Sequence, residues 1–435
     1  MQDTQALRAG PWRRVARPPI LCRDRHAAAA AAQVIVQASM PSRRRPPGGS
    51  ARAASNAGIV PSGGTFAGCR SMHSDPSPPP QSVQRPVTGR RQRLAARARA
   101  WRLLPLLQAV RRTVRRDLRV LAYHRVREMD DGFRFDPMLV SATPEGFRAQ
   151  MRHVRDRFHP VSCREVVASL DGGPALPRDA VLVTFDDGYD DNHRVAFPIL
   201  RELGVPATFF VATGHIDSGR PYAYDWLAHL LLTAPADRVR MTGAGVDLPL
   251  PASLAGRREL VGTVLDRLKY LDDAGQQAAI AGLERDWDLP RAPGHADCRP
   301  MTWDQLREMR DGGMEIGGHG VHHRMLAKLP DEALAAEMAE CQARLAAELG
   351  APAIALSYPV GGPDAYDERV LREARANGFR VGFSYVSGSN PWPPADRFRL
   401  LRTAVERSVD EAWFQGILAV PELFSHPSAI RVYPA

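Results

Sequence analysis

Residues 180–192 read A-V-L-V-T-F-D-D-G-Y-D-D-N, and this stretch decides the fold. An apolar and β-branched run ends at two adjacent carboxylates, Asp186 and Asp187, and two more acids follow within four residues. The run predicts a buried strand. Carboxylates this close repel one another, so the end of this strand favours a bound cation, whose other ligands must come from elsewhere in the chain.

Strand-like runs of the same kind recur along the chain. With residues 180–185 they number seven, the others being 119–124, 207–212, 315–319, 353–359, 381–385 and 401–405. Segments with helical spacing of apolar residues lie between them, at 144–158, 193–203, 302–311, 331–349 and 367–376. Alternating strands and helices indicate a parallel sheet or barrel, and seven strands favour a distorted, incomplete (β/α)7 barrel of the α/β class.

One interval interrupts this alternation. Residues 214–300 contain no clear strand but show helical spacing at 224–233 and 257–286. We therefore predict a helical insertion on the rim of the barrel, where it could shape a substrate cleft.

Charge is unevenly distributed along the chain. The 435 residues carry a net charge of +10, but residues 1–117 hold 22 arginines, no lysine and four acids, whereas the remainder holds 36 basic and 44 acidic residues. The first part is also rich in Pro, Gly, Ser and Ala, and such a composition cannot bury enough apolar surface to fold alone. We predict a basic, largely disordered tail over 1–117 and a barrel domain over 118–435. Met72 is an alternative start of translation.

The sequence bears on membrane contact in three ways. No run of 18 apolar residues exists, which predicts that no transmembrane helix is present. Residues 27–40 form only a weak signal-peptide core, so a cytoplasmic or membrane-peripheral location is favoured over export. The basic segment 94–116 has an amphipathic pattern and fits either a helix lying on an anionic membrane or a solvated lead-in helix broken at Pro105.

Two kinds of binding site receive no support. The basic tail could attract nucleic acid through charge alone, but nothing indicates specific nucleic-acid recognition. The five cysteines include no C-x-x-C pair, which argues against a disulfide scaffold and against a zinc finger.

The ends of the predicted strands carry the candidate chemistry, because such barrels place reactive groups at the C-terminal ends of their strands. The run 315–319 ends in His319, and His323 follows four residues later. That spacing places both imidazoles on one face if the chain turns helically there. One carboxylate with two imidazoles forms a common catalytic metal site, although His322 could replace a neighbour as ligand. Taken singly, a strand-end Asp is often a helix N-cap and a His is often a core residue.

Three motifs in order carry a family resemblance: T-F-D-D-G-Y at 184–189, I-G-G-H-G-V-H-H at 316–323 and S-Y-P-V-G at 357–361. They resemble the motifs of the polysaccharide deacetylases, also called carbohydrate esterase family 4 or the NodB-homology domain. P-A-T-F-F-V at 206–211 and M-T-W-D-Q-L at 301–306 are also similar to family segments.

The resemblance implies a ligand set and a mechanism. Asp187, His319 and His323 would bind a divalent metal, usually zinc in this family, and Asp186 would be the general base that deprotonates the attacking water. A bound metal makes water more acidic, and an adjacent carboxylate can take the proton. The resemblance also implies that the backbone N–H of Tyr358 stabilises the oxyanion.

The proton for the leaving amine requires another residue. Many family members supply it from a His in a late Leu-x-His motif, but after His323 this chain has only His426. The first predicted strand instead ends in His124, and this arrangement resembles a circularly permuted branch typified by the poly-N-acetylglucosamine deacetylases. A barrel closes in either strand order, so we predict that His124 is the general acid; a structural hydrogen bond at the barrel rim is the alternative.

Two further departures concern the surroundings of Asp186 and His319. Gly320 stands where many members have Thr or Ser, and Ser357 stands where many have an Arg that pairs with the base. Arg402 could supply a compensating cation, or it could form an ordinary ion pair at a strand end.

The predicted substrate contacts are Tyr189, Ser357, Pro359, Trp303 and Arg402. The combined expectation is a zinc-dependent hydrolase that removes N-acetyl groups from amino sugars in a polysaccharide or glycan. An O-acetyl esterase using the same site and a catalytically inactive glycan-binding barrel are the alternatives. The sequence does not determine the oligomeric state.

Overall fold

The structure, a computed structural model, describes residues 89–130, 132–268 and 271–425. The part of the predicted tail before residue 89, the signal-like segment 27–40, Met72 and His426 lie outside the described residues.

Seven parallel strands form the centre of the molecule. The strands in chain order are β1 (Asp117–Tyr123), β2 (Arg125–Val126), β3 (Val140–Ala142), β4 (His159–Pro160), β5 (Ala180–Phe185), β6 (Ala207–Val211), β7 (Arg238–Met241), β8 (Val246–Pro249), β9 (Glu315–Gly318), β10 (Ala355–Ser357), β11 (Val381–Phe383), β12 (Asn390–Pro391) and β13 (Thr403–Ala404). The seven central strands lie in the order β11-β10-β9-β6-β5-β1-β13 and coincide with the seven predicted runs. The two-residue β4 also pairs parallel with β5, and β2 pairs parallel with β3.

The sheet curls back towards its own edge. A parallel bridge joins Phe383, at the end of β11, to Leu400, which precedes β13. β1 lies directly beside β5, with Leu118 opposite Ala180 at one end of the pairing. The first strand of the barrel along the chain therefore takes its place next to the strand that ends at Asp186. The predicted (β/α)7 barrel and its permuted strand order are confirmed.

Continuous burial explains the apolar runs. Every residue of β1 and of β5 is buried. Parallel strands are covered on both faces, so they read as unbroken apolar segments and not as alternating ones. On the outer side of the sheet, the ring of Phe185 stacks on Phe209 of β6 with the centroids 4.6 Å apart and meets Phe147 of the surrounding helices edge to face.

Helices surround the barrel. They are α1 (Arg90–Ala100), α2 (Leu103–Val114), α3 (Pro144–Arg157), α4 (Cys163–Leu170), α5 (Phe197–Leu203), α6 (Thr213–Ser218), α7 (Ala223–Thr233), α8 (Leu254–Leu268), α9 (Asp273–Asp286), α10 (Trp303–Asp311), α11 (Asp331–Leu349), α12 (Glu368–Ala376), α13 (Glu411–Ala419) and α14 (Pro421–Phe424). A π-helical turn, Asn192–Ala196, leads into α5. The five predicted helical segments of the barrel coincide with α3, α5, α10, α11 and α12, and these helices turn apolar side chains towards the strands.

The insertion is helical but also contains a hairpin. It comprises α7, α8 and α9, and between them β7 pairs antiparallel with β8. The expectation of no strand in this interval was wrong, because only Val239 and Met241 of β7 are buried and four residues give too short an alternation to detect. The helical pattern predicted over 257–286 is divided between α8 and α9.

The segment before the barrel forms two helices, α1 and α2, that pack against α13. Ala95, Ala98 and Leu104 belong to the main core cluster. The break between the helices lies at Arg102, whose φ of 54° is left-handed, and not at Pro105. Pro105 stands in the first turn of α2, where a missing N–H breaks no helical hydrogen bond. None of the described helices is long and apolar enough to cross a membrane.

Candidate metal centre and active site

The C-terminal ends of the parallel strands open into a cavity of about 670 Å³. His124 follows β1, Asp186 and Asp187 follow β5, and His319 follows β9; all four line this cavity together with His323. The sequence therefore located the candidate chemistry at the correct end of the barrel.

Three of the four acids after β5 are paired with arginines. These pairs are Asp186 with Arg402, Asp190 with Arg194 and Arg299, and Asp191 with Arg125. The fourth acid, Asp187, faces two histidines instead. The concentration of charge at this strand end is thus compensated everywhere except at Asp187, where compensation depends on what the histidines hold.

Asp187, His319 and His323 form a group that could hold a metal ion, with one ligand atom from each lying within 4.8 Å of the others. Oδ1 of Asp187 is 3.4 Å from Nε2 of His319 and 3.2 Å from Nε2 of His323. Among the described residues this buried oxygen has no hydrogen-bond partner. Nδ1 of His319 donates to the carbonyl of Ser357 at 2.8 Å, which leaves Nε2, on the side of the carboxylate, as the atom that can bind a metal. This donor set fits a divalent cation.

The electrostatics of the group point in the same direction. Burial alone would raise the pKa of Asp187, but His323 and His319 outweigh it and hold the pKa well below its ordinary value. Burial alone would lower the pKa of His319, but Asp187 and Asp186 raise it above its ordinary value. The group therefore favours a positive charge, which a proton or a metal cation can supply.

Asp186 is held by Arg402, whose Nη1 and Nη2 donate to its two carboxylate oxygens at 2.7 Å each. The same guanidinium donates to the hydroxyl of Ser357 at 2.9 Å and to the carbonyl of Ser384 at 2.8 Å. Burial would raise the pKa of Asp186, but Arg402 lowers it below its ordinary value, so the carboxyl is ionised at neutral pH. Arg402 thus provides the positive charge beside Asp186 that an Arg at the position of Ser357 would otherwise provide.

The two histidines are brought together by an irregular loop and not by a helix. No helix or strand lies between Gly318 and Leu326, and His323 has a left-handed φ of 58°. The H-x-x-x-H spacing would place both imidazoles on one face only if the chain turned helically there, and it does not. The rings of His319 and His323 still approach each other, with centroids 4.8 Å apart.

Glu337 of α11 supports this loop and was missed by the sequence reasoning. One of its oxygens accepts the N–H groups of Val321 at 2.8 Å and His322 at 2.6 Å, and the other lies 3.1 Å from Nδ1 of His322. Gly320 makes room for this carboxylate, since a Cβ at residue 320 would lie 2.9 Å from Oε1 of Glu337. The imidazole of His322 is thereby bonded to Glu337 and lies outside the metal-binding group.

Two tyrosines of the insertion also reach Asp187, and no motif had marked them. The hydroxyl of Tyr222 donates to the backbone carbonyl of Asp187 at 2.6 Å, and that of Tyr224 donates to Oδ2 at 3.2 Å. Their rings pack on His323, with centroids 5.2 and 5.4 Å away. The insertion is therefore part of the candidate metal centre as well as a wall of the cavity.

His124 enters the site from β1. Its Nε2 lies 4.0 Å from Oδ2 of Asp187, and its ring meets Tyr385 edge to face at 5.4 Å. The backbone is fixed on both sides, because the N–H donates to Ser141 at 2.9 Å and the carbonyl accepts from Asn192 at 2.7 Å. The main chain thus holds His124 in place and the imidazole lines the cavity.

Tyr358 lines the cavity, but its backbone N–H is not available for the predicted role. That N–H donates to the carbonyl of Phe383 at 3.0 Å, which continues the pairing of β10 with β11. The phenol donates to the carbonyl of Phe398 at 2.7 Å. The prediction of an oxyanion donor at this N–H was therefore wrong.

The five predicted substrate contacts do not line the cavity: Tyr189, Ser357, Pro359, Trp303 and Arg402 all lie outside its wall. Ser357, Pro359 and Arg402 are buried beneath it. Tyr189 is buried and donates to Asp225 at 2.7 Å, while the indole of Trp303 donates to Asp217 at 2.7 Å. These motif residues therefore lie behind the wall of the cavity. The insertion contributes apolar side chains to the wall itself, namely Leu265, Leu268 and Ile280.

Backbone strain is concentrated at this cavity. Three of the six non-glycine residues with positive φ in the described ranges line it: Asp187 at 73°, His323 at 58° and Val360 at 64°. Such conformations cost about 1–3 kcal/mol each and persist where the surrounding structure enforces them, as at functional sites.

The family profile described as polysaccharide deacetylase matches residues 173–250 and 258–382. The matched region includes Asp186, Asp187, His319 and His323, whereas His124 on the permuted strand lies outside it.

Two curated proteins illustrate the similarity. YxkH of Bacillus subtilis (strain 168), provisionally named a polysaccharide deacetylase, is 21% identical over 244 residues, which are 56% of this chain and 58% of YxkH. The poly-beta-1,6-N-acetyl-D-glucosamine N-deacetylase of Escherichia coli (strain K12) is 33% identical over 84 residues, 19% of this chain and 12% of that protein. This chain thus spans less than two thirds of the length of these relatives.

Solved structures also match. The Streptococcus pyogenes deacetylase PplD, determined in complex with acetate, is 18% identical with a TM-score of 0.47, and the match covers 72% of this chain and 100% of PplD. IcaB from Ammonifex degensii is 20% identical with a TM-score of 0.45, and the match covers 70% of this chain and 96% of IcaB.

Proposed function

Because the polysaccharide deacetylase profile matches residues 173–250 and 258–382, we propose that the chain is a member of that family and a metal-dependent hydrolase that removes N-acetyl groups from amino sugars of a polysaccharide or glycan. One observation carries the proposal: the unpaired Oδ1 of Asp187 faces two imidazole nitrogens in the same cavity as Asp186 and His124. A buried carboxylate oxygen without a partner is costly unless a ligand satisfies it.

Asp187, His319 and His323 would hold the metal. One carboxylate with two imidazoles suits Zn²⁺ and leaves a coordination position open, so zinc is the proposed ion. A zinc ion bound there would lower the pKa of water and polarise the acetyl carbonyl. Tyr224 and the carbonyl of Ser357 orient two of the ligands through their hydrogen bonds.

The neighbouring side chains supply the proton transfers. Asp186, kept ionised by Arg402, accepts a proton from the water that attacks the acetyl carbon. The new C–O bond forms at that carbon, and the C–N bond then breaks. His124 donates a proton to the departing nitrogen, so the products are acetate and a free amine on the sugar. The position of His124 on the same cavity supports this assignment.

The first substrate to test is an oligomer of β-1,6-linked N-acetylglucosamine, the linkage in the name of the Escherichia coli relative. Metal content per chain and released acetate would be measured on the purified full chain and on the variants Asp187→Asn and His124→Ala. We expect about one metal per chain, loss of metal in Asp187→Asn, and metal retained with kcat lowered about 10²–10⁴-fold in His124→Ala. His159→Ala, a change of an exposed histidine, serves as the matched control and should leave both measurements unchanged.

Two results would redirect the proposal. Bound metal with acetate released from an O-acetylated polysaccharide, but not from the amino-sugar oligomer, would assign the site to ester hydrolysis. No bound metal and no acetate from either substrate would leave a glycan-binding barrel.

A further inference from the structure

Exposed large apolar side chains are concentrated before the barrel. Of the ten in the described ranges, seven lie between residues 94 and 114. Five of them form one stripe along α2, which we call the apolar stripe: Leu103, Leu106, Leu107, Val110 and Val114. Their spacing of three, four, seven and eleven residues places them on one face of a helix. A contiguous exposed apolar face of this kind marks an interaction surface.

An adjoining face of α2 is anchored, so the apolar stripe has a fixed outward direction. Leu104 and Arg111 are buried. Arg111 donates to Asp117 at 2.6 Å and to Glu422 at 2.6 and 2.8 Å. Gln108 donates to the carbonyl of Arg157 at 2.9 Å. These contacts hold the helix against the body of the molecule while Leu106 and Val114 remain 60% and 72% exposed.

The charge around the stripe selects one kind of partner. Residues 90–116 contain ten arginines and no acid. Trp101, 73% exposed, stands at the N-terminal end of the stripe. Apolar residues on one face, arginines around them and a tryptophan at the edge are the features of helices that lie in the headgroup region of anionic bilayers. Each basic residue near such a surface contributes on the order of 1 kcal/mol.

We propose that the apolar stripe of α2 docks the protein on an anionic lipid surface, with the axis of α2 in the plane of the membrane. This proposal is independent of the catalytic activity. A second copy of the chain, with a net charge of +10, and residues 1–88, with 12 further arginines and three acids, are the competing occupants of the stripe, and the net charge of both has the same sign as the arginines around it.

Docking on this face would direct the cavity away from the membrane. Three contacts of α2 lie at the starts of strands. Gln108 donates to the carbonyl of Arg157 just before β4, and Arg111 donates to Asp117, the first residue of β1. Arg178, which precedes β5, donates to the carbonyl of Arg112. The cavity lies at the opposite, C-terminal ends of the strands. A six-residue strand spans roughly 20 Å, so the docked protein would act on glycan held off the bilayer and not on sugars in the headgroup layer.

The test is co-sedimentation of the full chain with vesicles of three parts phosphatidylcholine to one part phosphatidylglycerol, compared with pure phosphatidylcholine. We expect binding to the anionic vesicles that weakens with salt. The double variant Leu106→Asp with Val110→Asp should bind at least about tenfold more weakly, because it removes apolar contact and adds repulsion. Met138→Asp, which changes a 57% exposed apolar residue elsewhere on the surface, should bind like the parent chain.

Three outcomes would overturn the proposal. Equal vesicle binding by the parent chain and the double variant would show that the arginine-rich tail, and not the stripe, contacts lipid. No binding of the parent chain to anionic vesicles would exclude the lipid surface outright. A dimer in light scattering that becomes a monomer in the double variant would identify a second copy as the occupant. An unchanged thermal midpoint of the double variant confirms that its fold is intact.

Discussion

Arg402 determines the charge state of Asp186 at the scale of single residues. In Arg402→Lys the positive charge remains, but an ammonium cannot donate to both carboxylate oxygens as the guanidinium does at 2.7 Å. We expect kcat to fall about 100-fold, because the carboxylate is no longer held in position, while KM and bound metal stay near the values of the parent chain. Steady-state kinetics with metal analysis makes this measurement.

The matched control is Arg380→Lys, because Arg380 pairs with Asp171 on the surface. It should leave kcat unchanged. If the kcat of Arg402→Lys equals that of the parent chain, the bidentate contact of Arg402 with Asp186 has no role in catalysis and is an ordinary buried ion pair.

Tyr224 gives a second prediction for a single residue. Its hydroxyl donates to Oδ2 of Asp187, and such outer hydrogen bonds orient metal ligands. Tyr224→Phe should therefore weaken metal binding about tenfold, measured by competition with a chelator in the absence of substrate. Tyr366→Phe, whose ring stacks on Tyr358 at 4.5 Å, is the control and should not change metal affinity. Equal affinities of the parent chain and Tyr224→Phe would show that the carboxylate needs no support from the insertion.

Residues that belong to ordered motifs could be located from sequence, and residues defined by tertiary contact could not. Asp187, His319 and His323 lie together as expected, because Asp187 follows β5 and the loop that carries both histidines follows β9. Tyr224 and Glu337 had no signal, since their importance arises from hydrogen bonds to segments 37 and 15 residues away. The role of the Tyr358 N–H was mispredicted because a sequence motif does not show which backbone N–H groups donate to a neighbouring strand, as this one does to Phe383.

At the scale of elements, long periodic segments were predicted well and short ones were not. The seven central strands carry apolar runs, and the place of β1 among them followed from the position of His124. The hairpin of β7 and β8 escaped detection because its exposed arginines resemble a loop. The H-x-x-x-H segment forms an irregular loop and not the helical turn that its spacing would suit, and no local pattern indicates that Glu337 of α11 holds this loop.

The loop from His319 to His323 yields a prediction for an element. Gly320 has a φ of 73°, and a Cβ there would press on Oε1 of Glu337 at 2.9 Å. Gly320→Ala should lower the free energy of unfolding by about 1–2 kcal/mol through the left-handed backbone alone. It should also weaken metal binding, because Glu337 must release the N–H groups that hold the histidine loop. Thermal unfolding and chelator competition measure the two effects.

Gly350 provides the control for the loss of stability that a left-handed backbone causes when glycine is replaced by alanine. It ends α11 with a φ of 76°, and a Cβ there would meet nothing within 4 Å. Gly350→Ala should therefore lose similar stability without any change in metal affinity. If both variants bind metal alike, the contact of Gly320 with Glu337 has no role in shaping the site.

At the scale of the whole molecule, α2 joins the two ends of the described chain. Arg111 of α2 is bonded to Asp117 at the start of β1 and to Glu422 of α14. The helices before the barrel and the last helix after it therefore share one buried cation. This arrangement could not be read from composition, which indicated only a basic tail, because the pairing depends on an acid more than 300 residues away.

The pairing makes a prediction about stability and pH. Burial would raise the pKa of Glu422, but hydrogen bonds from Arg111 outweigh it and lower the pKa from 4.5 to about 2. A carboxyl with a depressed folded-state pKa stabilises the fold fully above its ordinary pKa and loses that contribution as the pH falls towards the depressed value. Glu422→Gln should therefore lower the thermal midpoint at pH 7, and its difference in thermal midpoint from the parent chain should narrow as the pH falls from about 5 to 3.

The control is Glu340→Gln, which changes an exposed residue on α11. Its difference in thermal midpoint from the parent chain should not vary with pH. A difference for Glu422→Gln that stays constant across this range would mean that the negative charge of Glu422 adds nothing to the stability of its pairing with Arg111.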